Sequence, residues 1–167
     1  MPELLVMRHA KSDWSTQLPD YDRPLSKRGH RDAPRMAEWL ADNDRSPDAI
    51  ITSAANRALT TARYVAEHVG LTKADVDIRE DLYLASADTW LDTLHEQQGD
   101  QRLLICGHNP GLDALVEYLP AEPPSYTSND KLMTTAAIAV LAVDRWSALG
   151  PRSTELVELA RPRELLK

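Results

Sequence analysis

Two histidines and two arginines, each set just after a short apolar run, carry the chemistry open to this sequence. Arg8-His9 follows Leu4-Leu5-Val6-Met7, Ser53 leads to Arg57 after Ala49-Ile50-Ile51-Thr52, and Gly107-His108 follows Arg102-Leu103-Leu104-Ile105-Cys106. A guanidinium stays charged at any working pH and offers forked donors that match phosphate oxygens, so a pair of them points to an anionic ligand. An imidazole attacks phosphorus when neutral and donates to a charged transition state when protonated. Phosphoryl transfer needs an aligned attacker and fixed positive groups around the equatorial oxygens, each worth roughly 10²–10³ in rate by analogy with oxyanion-hole donors. Taken singly the residues say less. A lone histidine after a strand is more often a structural turn residue, and Arg57 alone reads as a surface residue whose charge opposes the dipole of the helix it opens.

The elements that must position these residues follow from periodicity. Leu4 to Met7, Ala49 to Thr52 and Arg102 to Cys106 are continuous apolar runs, as in strands buried on both faces. A helical pattern runs from Ser26, placed as N-cap, to about Asn43, with Pro34 predicting a kink or a later start. A second runs from Ser53 to Val69 and stops at Gly70. A short strand is expected over Val76 to Ile78, Leu82-Tyr83-Leu84 in a connection, and a helix from about Ala87 to Gln97. Asn109 suits an N-cap and Pro110 a first helical position, which predicts a helix over Leu112 to Leu119. Pro120 to Lys131 reads as a surface loop, and Ala136 to Val143 and Glu155 to Leu159 as closing strands. Strands alternating with helices predict an α/β fold, a three-layer α/β/α sandwich with a mostly parallel central sheet. In such sheets ligands bind at the carboxyl ends of the strands, so the three residue groups should converge on one crevice.

Length and composition bound the possibilities. At 167 residues, 43% apolar and 27% charged, the chain suits one globular domain over residues 1–167, with four Trp and five Tyr supplying aromatic bulk where Phe is absent. A formal charge of −7 argues against a general nucleic-acid or anionic-membrane binder, while leaving room for a local basic pocket. Cys106 is the only cysteine, so there is no internal disulfide and no cysteine-based zinc cluster; it is expected to be buried. No signal peptide and no apolar stretch long enough to span a membrane is evident, so a cytoplasmic location is expected. His30, His68 and His95 fall in helical segments without companion motifs and are expected at the surface or its boundary. No metal site and no cofactor are expected.

Met7-Arg8-His9-Ala10-Lys11, Ser53-Ala54-Ala55-Asn56-Arg57-Ala58-Leu59-Thr60-Thr61-Ala62 and Gly107-His108-Asn109-Pro110 together resemble the three-part signature of the histidine phosphatase superfamily, which includes the phosphoglycerate mutases. With Ala10-Lys11 after the histidine and no large insertion, the chain looks most like the small SixA-type phosphohistidine phosphatases. The resemblance implies a phosphoglycerate mutase-like fold. It also implies that His9 is a nucleophile forming a phosphohistidine intermediate and that Arg8, Arg57 and His108 bind the phosphoryl group. The backbone at Gly107 is expected to add a donor, and Ser15 stands where many relatives place an Asn. Asp20 to Gly29 resembles the segment after the first motif in SixA-like proteins; it is expected as loop and helix cap, with Arg23 and Arg28 as candidates for flanking the pocket.

In the mutase-like branch a Glu serves as general acid, and aligned on Leu82 its place is held by Leu84. Glu80, Asp81 and Asp88 lie near in sequence but read as solvated turn carboxylates. An alkoxide needs a proton to leave, whereas a protonated phosphorylated imidazole leaves as a neutral ring. The expected substrate is therefore phosphohistidine on a protein, such as a histidine phosphotransfer domain. The alternatives are a small phosphorylated molecule or a phosphate-binding protein without turnover.

Overall fold

The computed structural model describes residues 1–126 and 131–165. Its strands are β1 (Glu3–Arg8), β2 (Ala49–Ser53), β3 (Val76–Arg79), β4 (Arg102–Gly107), β5 (Ile138–Ala142) and β6 (Glu155–Ala160), in the order β3-β2-β4-β1-β5-β6. The first four in that order pair in parallel, and β5 runs antiparallel to both β1 and β6. One strand thus opposes the rest, and the sheet is mostly parallel as expected.

The helices are α1 (Lys27–Asp42), α2 (Asn56–Val69), α3 (Ala87–His95), α4 (Gly111–Tyr118) and α5 (Pro162–Leu165). Side chains of a strand alternate between faces. Leu5 and Met7 of β1 with Leu104 and Cys106 of β4 therefore meet Ala33, Met36 and Leu40 of α1 and Ala58, Ala62 and Val65 of α2. Leu4, Val6, Leu103 and Ile105 face the other way, onto Trp90 and Leu94 of α3 and Leu112 and Leu115 of α4. Both faces are covered, which explains the continuous apolar runs and makes the fold a three-layer α/β/α sandwich.

Ser26 caps α1 by accepting from the Gly29 N–H at 3.2 Å. The expected late start does not occur: α1 begins at Lys27 and continues through Pro34, where its buried stripe of Ala33, Met36, Ala37 and Leu40 holds the helix to the sheet on both sides of the lost backbone bond. The fourth helix starts at Gly111 rather than Leu112, and Pro110 rather than Asn109 is its N-cap residue, because the turn runs one residue further before the helix begins; from one position earlier, Asn109 Oδ1 accepts from the Asp113 N–H at 3.1 Å. The third ends at His95, short of Gln97. Of the loop expected over Pro120 to Lys131, residues 127–130 lie outside the described residues. No described helix is long and apolar enough to cross a membrane.

Register brings the three residue groups together. Arg8 pairs with Gly107 across β1 and β4, Thr52 of β2 pairs with Cys106, and the His9 N–H donates to the Gly107 carbonyl at 3.1 Å. The chain segments that follow all three strands leave the same sheet edge side by side.

Candidate active site

His9 emerges one residue beyond β1 and is 6% exposed. Its Nδ1 lies 2.7 Å from the Ala10 carbonyl oxygen. A carbonyl only accepts, so Nδ1 carries the ring proton and Nε2 keeps its lone pair. Burial first, then the charges of Arg8, His108 and Arg57, push the His9 pKa well below its ordinary value, against the opposing pull of the Ala10 carbonyl. The ring is neutral at pH 7, with its lone pair on Nε2. Its mount is tied to α2: the Ala10 N–H donates to Thr61 Oγ1 at 3.0 Å, and the Thr61 hydroxyl donates to the Arg57 carbonyl at 2.8 Å.

The rings of His9 and His108 stand 5.3 Å apart, centroid to centroid. His108 Nε2 is 2.8 Å from Ser53 Oγ, which links the ends of β4 and β2. Burial, followed by the Arg57 charge, brings the His108 pKa down to about 3. Gly107 is required by contact: a Cβ there would lie 2.7 Å from Cζ2 of the buried Trp90. The turn carrying His108 can sit this close to α3 only without a side chain at Gly107.

Arg8 is aimed by the Met133 carbonyl, which accepts from Nη1 at 3.1 Å; Asp113 in turn holds the Met133 N–H at 2.7 Å. Arg57 is buried at 2% exposure rather than at the surface, and its charge at the start of α2 is answered by Asp20. Arg57 Nη2 donates to Asp20 Oδ2 at 3.0 Å and Nη1 to the Asp20 carbonyl at 2.7 Å. Asp20 also accepts from the Tyr83 hydroxyl, and from Arg23 Nη2 at 2.5 Å. Those hydrogen bonds, that from Tyr83 foremost, hold its carboxyl far below the usual carboxylate range. Burial of Nε in both Arg8 and Arg57 without a hydrogen-bond partner among the described residues leaves donor capacity for an anion.

These groups line a cavity of about 340 Å³ that holds Arg8, His9, Arg57 and His108 together with Lys11, Ser12, Asp20, Arg23 and Leu84. Ser15 is not among its lining residues: its hydroxyl donates to Asp13 Oδ1 at 2.6 Å in an exposed turn. Ser12 lines the cavity instead, buried and accepting from Arg23. Arg23 does flank the site, its guanidinium 3.6 Å from the centre of the Trp14 ring; Arg28 lines the adjoining cavity. Asp20 and Ser12 escaped the sequence reading, since short polar loop residues look alike until a fold places them; the arginine flanking both was the available signal. Leu84, the residue that alignment on Leu82 sets in the place of the mutase-like acid, lines the cavity. Glu80 accepts from the Tyr21 hydroxyl at 2.6 Å and Asp81 pairs with Arg79 at 2.8 Å, neither lining the cavity. Buried Cys106 has its thiol pushed up to about 12 by desolvation. His30, His68 and His95 are exposed. Among the described residues no group of three or more His, Cys, Asp or Glu is placed to hold a metal ion.

Comparison with known proteins adds an independent line. Residues 4–83 match the model of the histidine phosphatase superfamily (branch 1). An uncharacterized protein of Mycobacterium tuberculosis is 34% identical over 164 residues, covering 94% of this chain and 100% of that one. A structure assigned to phosphohistidine phosphatase SixA from Nakamurella multipartita superposes with a TM-score of 0.77 at 27% identity, over 96% of both chains. One assigned to SixA from Agrobacterium tumefaciens gives 0.77 at 25% identity, over 96% of this chain and 98% of that one.

Proposed function

The chain is a phosphatase of the histidine phosphatase superfamily, and from that premise we propose that it hydrolyses phosphohistidine on a protein through a covalent intermediate on His9. In this reading residues 1–167 act as one cytoplasmic domain. His9 Nε2 attacks phosphorus, and the bond from phosphorus to the substrate ring nitrogen breaks with its electron pair going to that ring. A substrate imidazole already protonated on its other nitrogen then departs neutral. Water next attacks the phosphorus on His9, the bond to Nε2 breaks with its pair returning to Nε2, and inorganic phosphate leaves with the proton released by the water. Arg8 and Arg57 hold the phosphoryl oxygens in both steps. His108 serves as a further donor, its low pKa rising when a phosphoryl anion enters beside it. The Nδ1 proton of His9, bonded to the Ala10 carbonyl, keeps the phosphorylated ring cationic and a good leaving group.

The observation that carries the choice of substrate is that no protonated carboxyl lines the cavity. Leu84, which alignment on Leu82 sets where the mutase-like branch has Glu, lines the cavity. Asp20, the carboxylate that does line the cavity, is held ionised by Tyr83, Arg23 and Arg57 and has no proton to give at neutral pH. An alkoxide would leave without a carboxylic acid beside it to protonate it, which disfavours the reading as a small-molecule phosphomonoesterase. The test is to incubate the protein with a phosphohistidine-bearing phosphotransfer domain and with alkyl and aryl phosphates, beside a His9→Ala control and with trapping of acid-labile enzyme-bound phosphate. Preferential turnover of the phosphoprotein, and trapping lost in His9→Ala, is the expected result. Full activity in His9→Ala sinks the mechanism, and alkyl phosphate turnover matching that of the phosphoprotein sinks the substrate.

A further inference from the structure

The catalytic cavity does not end at His9. It shares Arg8, Lys11 and Thr135 with a larger cavity of about 540 Å³, which in turn shares Arg28, Thr134, Thr135 and Arg163 with a third of about 410 Å³. The second and third form a continuous open trough beside the site. Among the described residues, eight Lys or Arg side chains line that trough against two carboxylates, Asp32 and Glu164, in a chain that holds 19 Lys and Arg against 26 Asp and Glu. Positive charge has been gathered on one face of an acidic protein.

The distribution follows from the elements. Arg28, Arg31 and Arg35 of α1 are spaced three and four residues apart, so they share one helix face and extend about 10 Å along it. Arg161 and Arg163 reach the trough from the end of the sheet and from α5. The carboxylates are outnumbered: Asp32 answers both Arg28 at 3.8 Å and Arg31 at 3.6 Å, and Glu164 answers Arg161 at 3.2 Å. Lys11, at the junction with the catalytic cavity, has its pKa lowered first by burial and then by Arg28, Arg8, Lys131 and Arg23, which is the mark of crowded positive charge.

We infer that this trough is the docking track for an acidic face of the phosphoprotein substrate, laid so that a phosphohistidine at the edge of that face reaches His9. The inference rests on the proposed function and names the kind of partner. The form of the trough favours a protein surface over a small polyanion. A small-molecule site encloses most of its ligand with a few buried polar groups, whereas Arg28 and Arg31 have side chains 43% and 57% exposed and stand on a rigid helix. Exposed charges of this kind steer encounter and set orientation.

The test separates docking from turnover. Two fluorescein-labelled peptides, one with Asp and Glu flanking a histidine and one with Asn and Gln in their places, are titrated with the full chain and followed by anisotropy at about 20 and about 200 mM salt. The variants are Arg31→Glu/Arg35→Glu and a milder Arg31→Gln/Arg35→Gln, with aryl phosphate hydrolysis as the control for an intact site. The acidic peptide should bind at least about tenfold more tightly at low salt, and should lose that preference at high salt and in both variants, while aryl phosphate turnover is unchanged. Equal binding of the two peptides overturns the docking track whether or not phosphohistidine is hydrolysed. So does a preference that survives in both variants, or displacement of the peptide by inorganic tripolyphosphate at concentrations where the peptide itself binds poorly. Failure of phosphohistidine turnover alone removes the proposed function and leaves the peptide result to stand or fall separately.

Discussion

Replacing Thr61 with Val deletes one buried oxygen and keeps the shape of the side chain, at the point where α2 supports the mount of His9, the proposed nucleophile. Thr61 is fully buried, and its Oγ1 accepts from the Ala10 N–H at 3.0 Å. In Thr61→Val that N–H has no partner, which costs about 1–3 kcal/mol, while burying a methyl in place of the hydroxyl returns about 0.8 kcal/mol. The net loss is roughly 0.2–2 kcal/mol, equivalent in a chain of this size to a fall in Tm of up to about 8 °C. Activity should fall further than stability requires. Ala10 supplies the carbonyl that fixes the His9 tautomer, and a small displacement of an in-line nucleophile is expensive in rate, so kcat should drop about tenfold with KM little changed. Thr61→Ser keeps the oxygen and should retain most of both. Thermal melting by circular dichroism, with steady-state kinetics on the same preparations, measures the two effects. If Thr61→Val melts with the wild type, or Thr61→Ser loses as much as Thr61→Val, the hydroxyl is not what holds the Ala10 peptide and the argument fails.

Acid stability offers a second prediction. His9 and His108 both have folded pKa values depressed below the unfolded value near 6.5, that of His108 to about 3, so between these limits the unfolded chain binds more protons. Their contribution is complete above about pH 6.5 and is lost as pH falls toward the folded values, at up to about 1.4 kcal/mol per pH unit for each ring. Urea unfolding between pH 7 and pH 5 should show this slope, and His108→Asn should flatten it by about half; an unchanged slope in the variant would remove His108 from the account. Gly107→Ala drives a methyl against Trp90 and should lower stability by about 1–3 kcal/mol, with partial recovery in Gly107→Ala/Trp90→Leu; a fully stable single variant would show that Trp90 gives way freely. Phosphatase activity should persist in chelator, since guanidinium and imidazole groups supply the positive charge; loss of activity restored by a divalent ion would overturn that assignment.

Much of the architecture was legible because it is written in local periodicity. The runs Leu4 to Met7 and Arg102 to Cys106 had to be strands covered on both sides, and the stripe Ala33, Met36, Ala37, Leu40 had to be a helix face. Pro34 does not delay the start of α1, since a proline's local cost is small beside the burial of that whole stripe. Ser15 was placed by analogy of position in a loop, where no periodicity exists to correct a slip. The cavity has Ser12 instead, whose hydroxyl is held by Arg23.

By itself the sequence determined which groups could do chemistry, two imidazoles and two guanidiniums at strand ends, and that parallel strands would carry them to one edge. These follow from residue type and short-range pattern. Only the tertiary structure decided the rest. It set the His9 tautomer through one carbonyl at 2.7 Å, buried Arg57 against Asp20, and kept the Asp20 carboxyl in the cavity ionised. It also assembled a basic trough from α1 and the far C-terminal Arg161 and Arg163. Each depends on atoms distant in the chain being brought within a few ångströms, where desolvation and Coulomb interactions fix protonation and charge, and no local pattern encodes those distances.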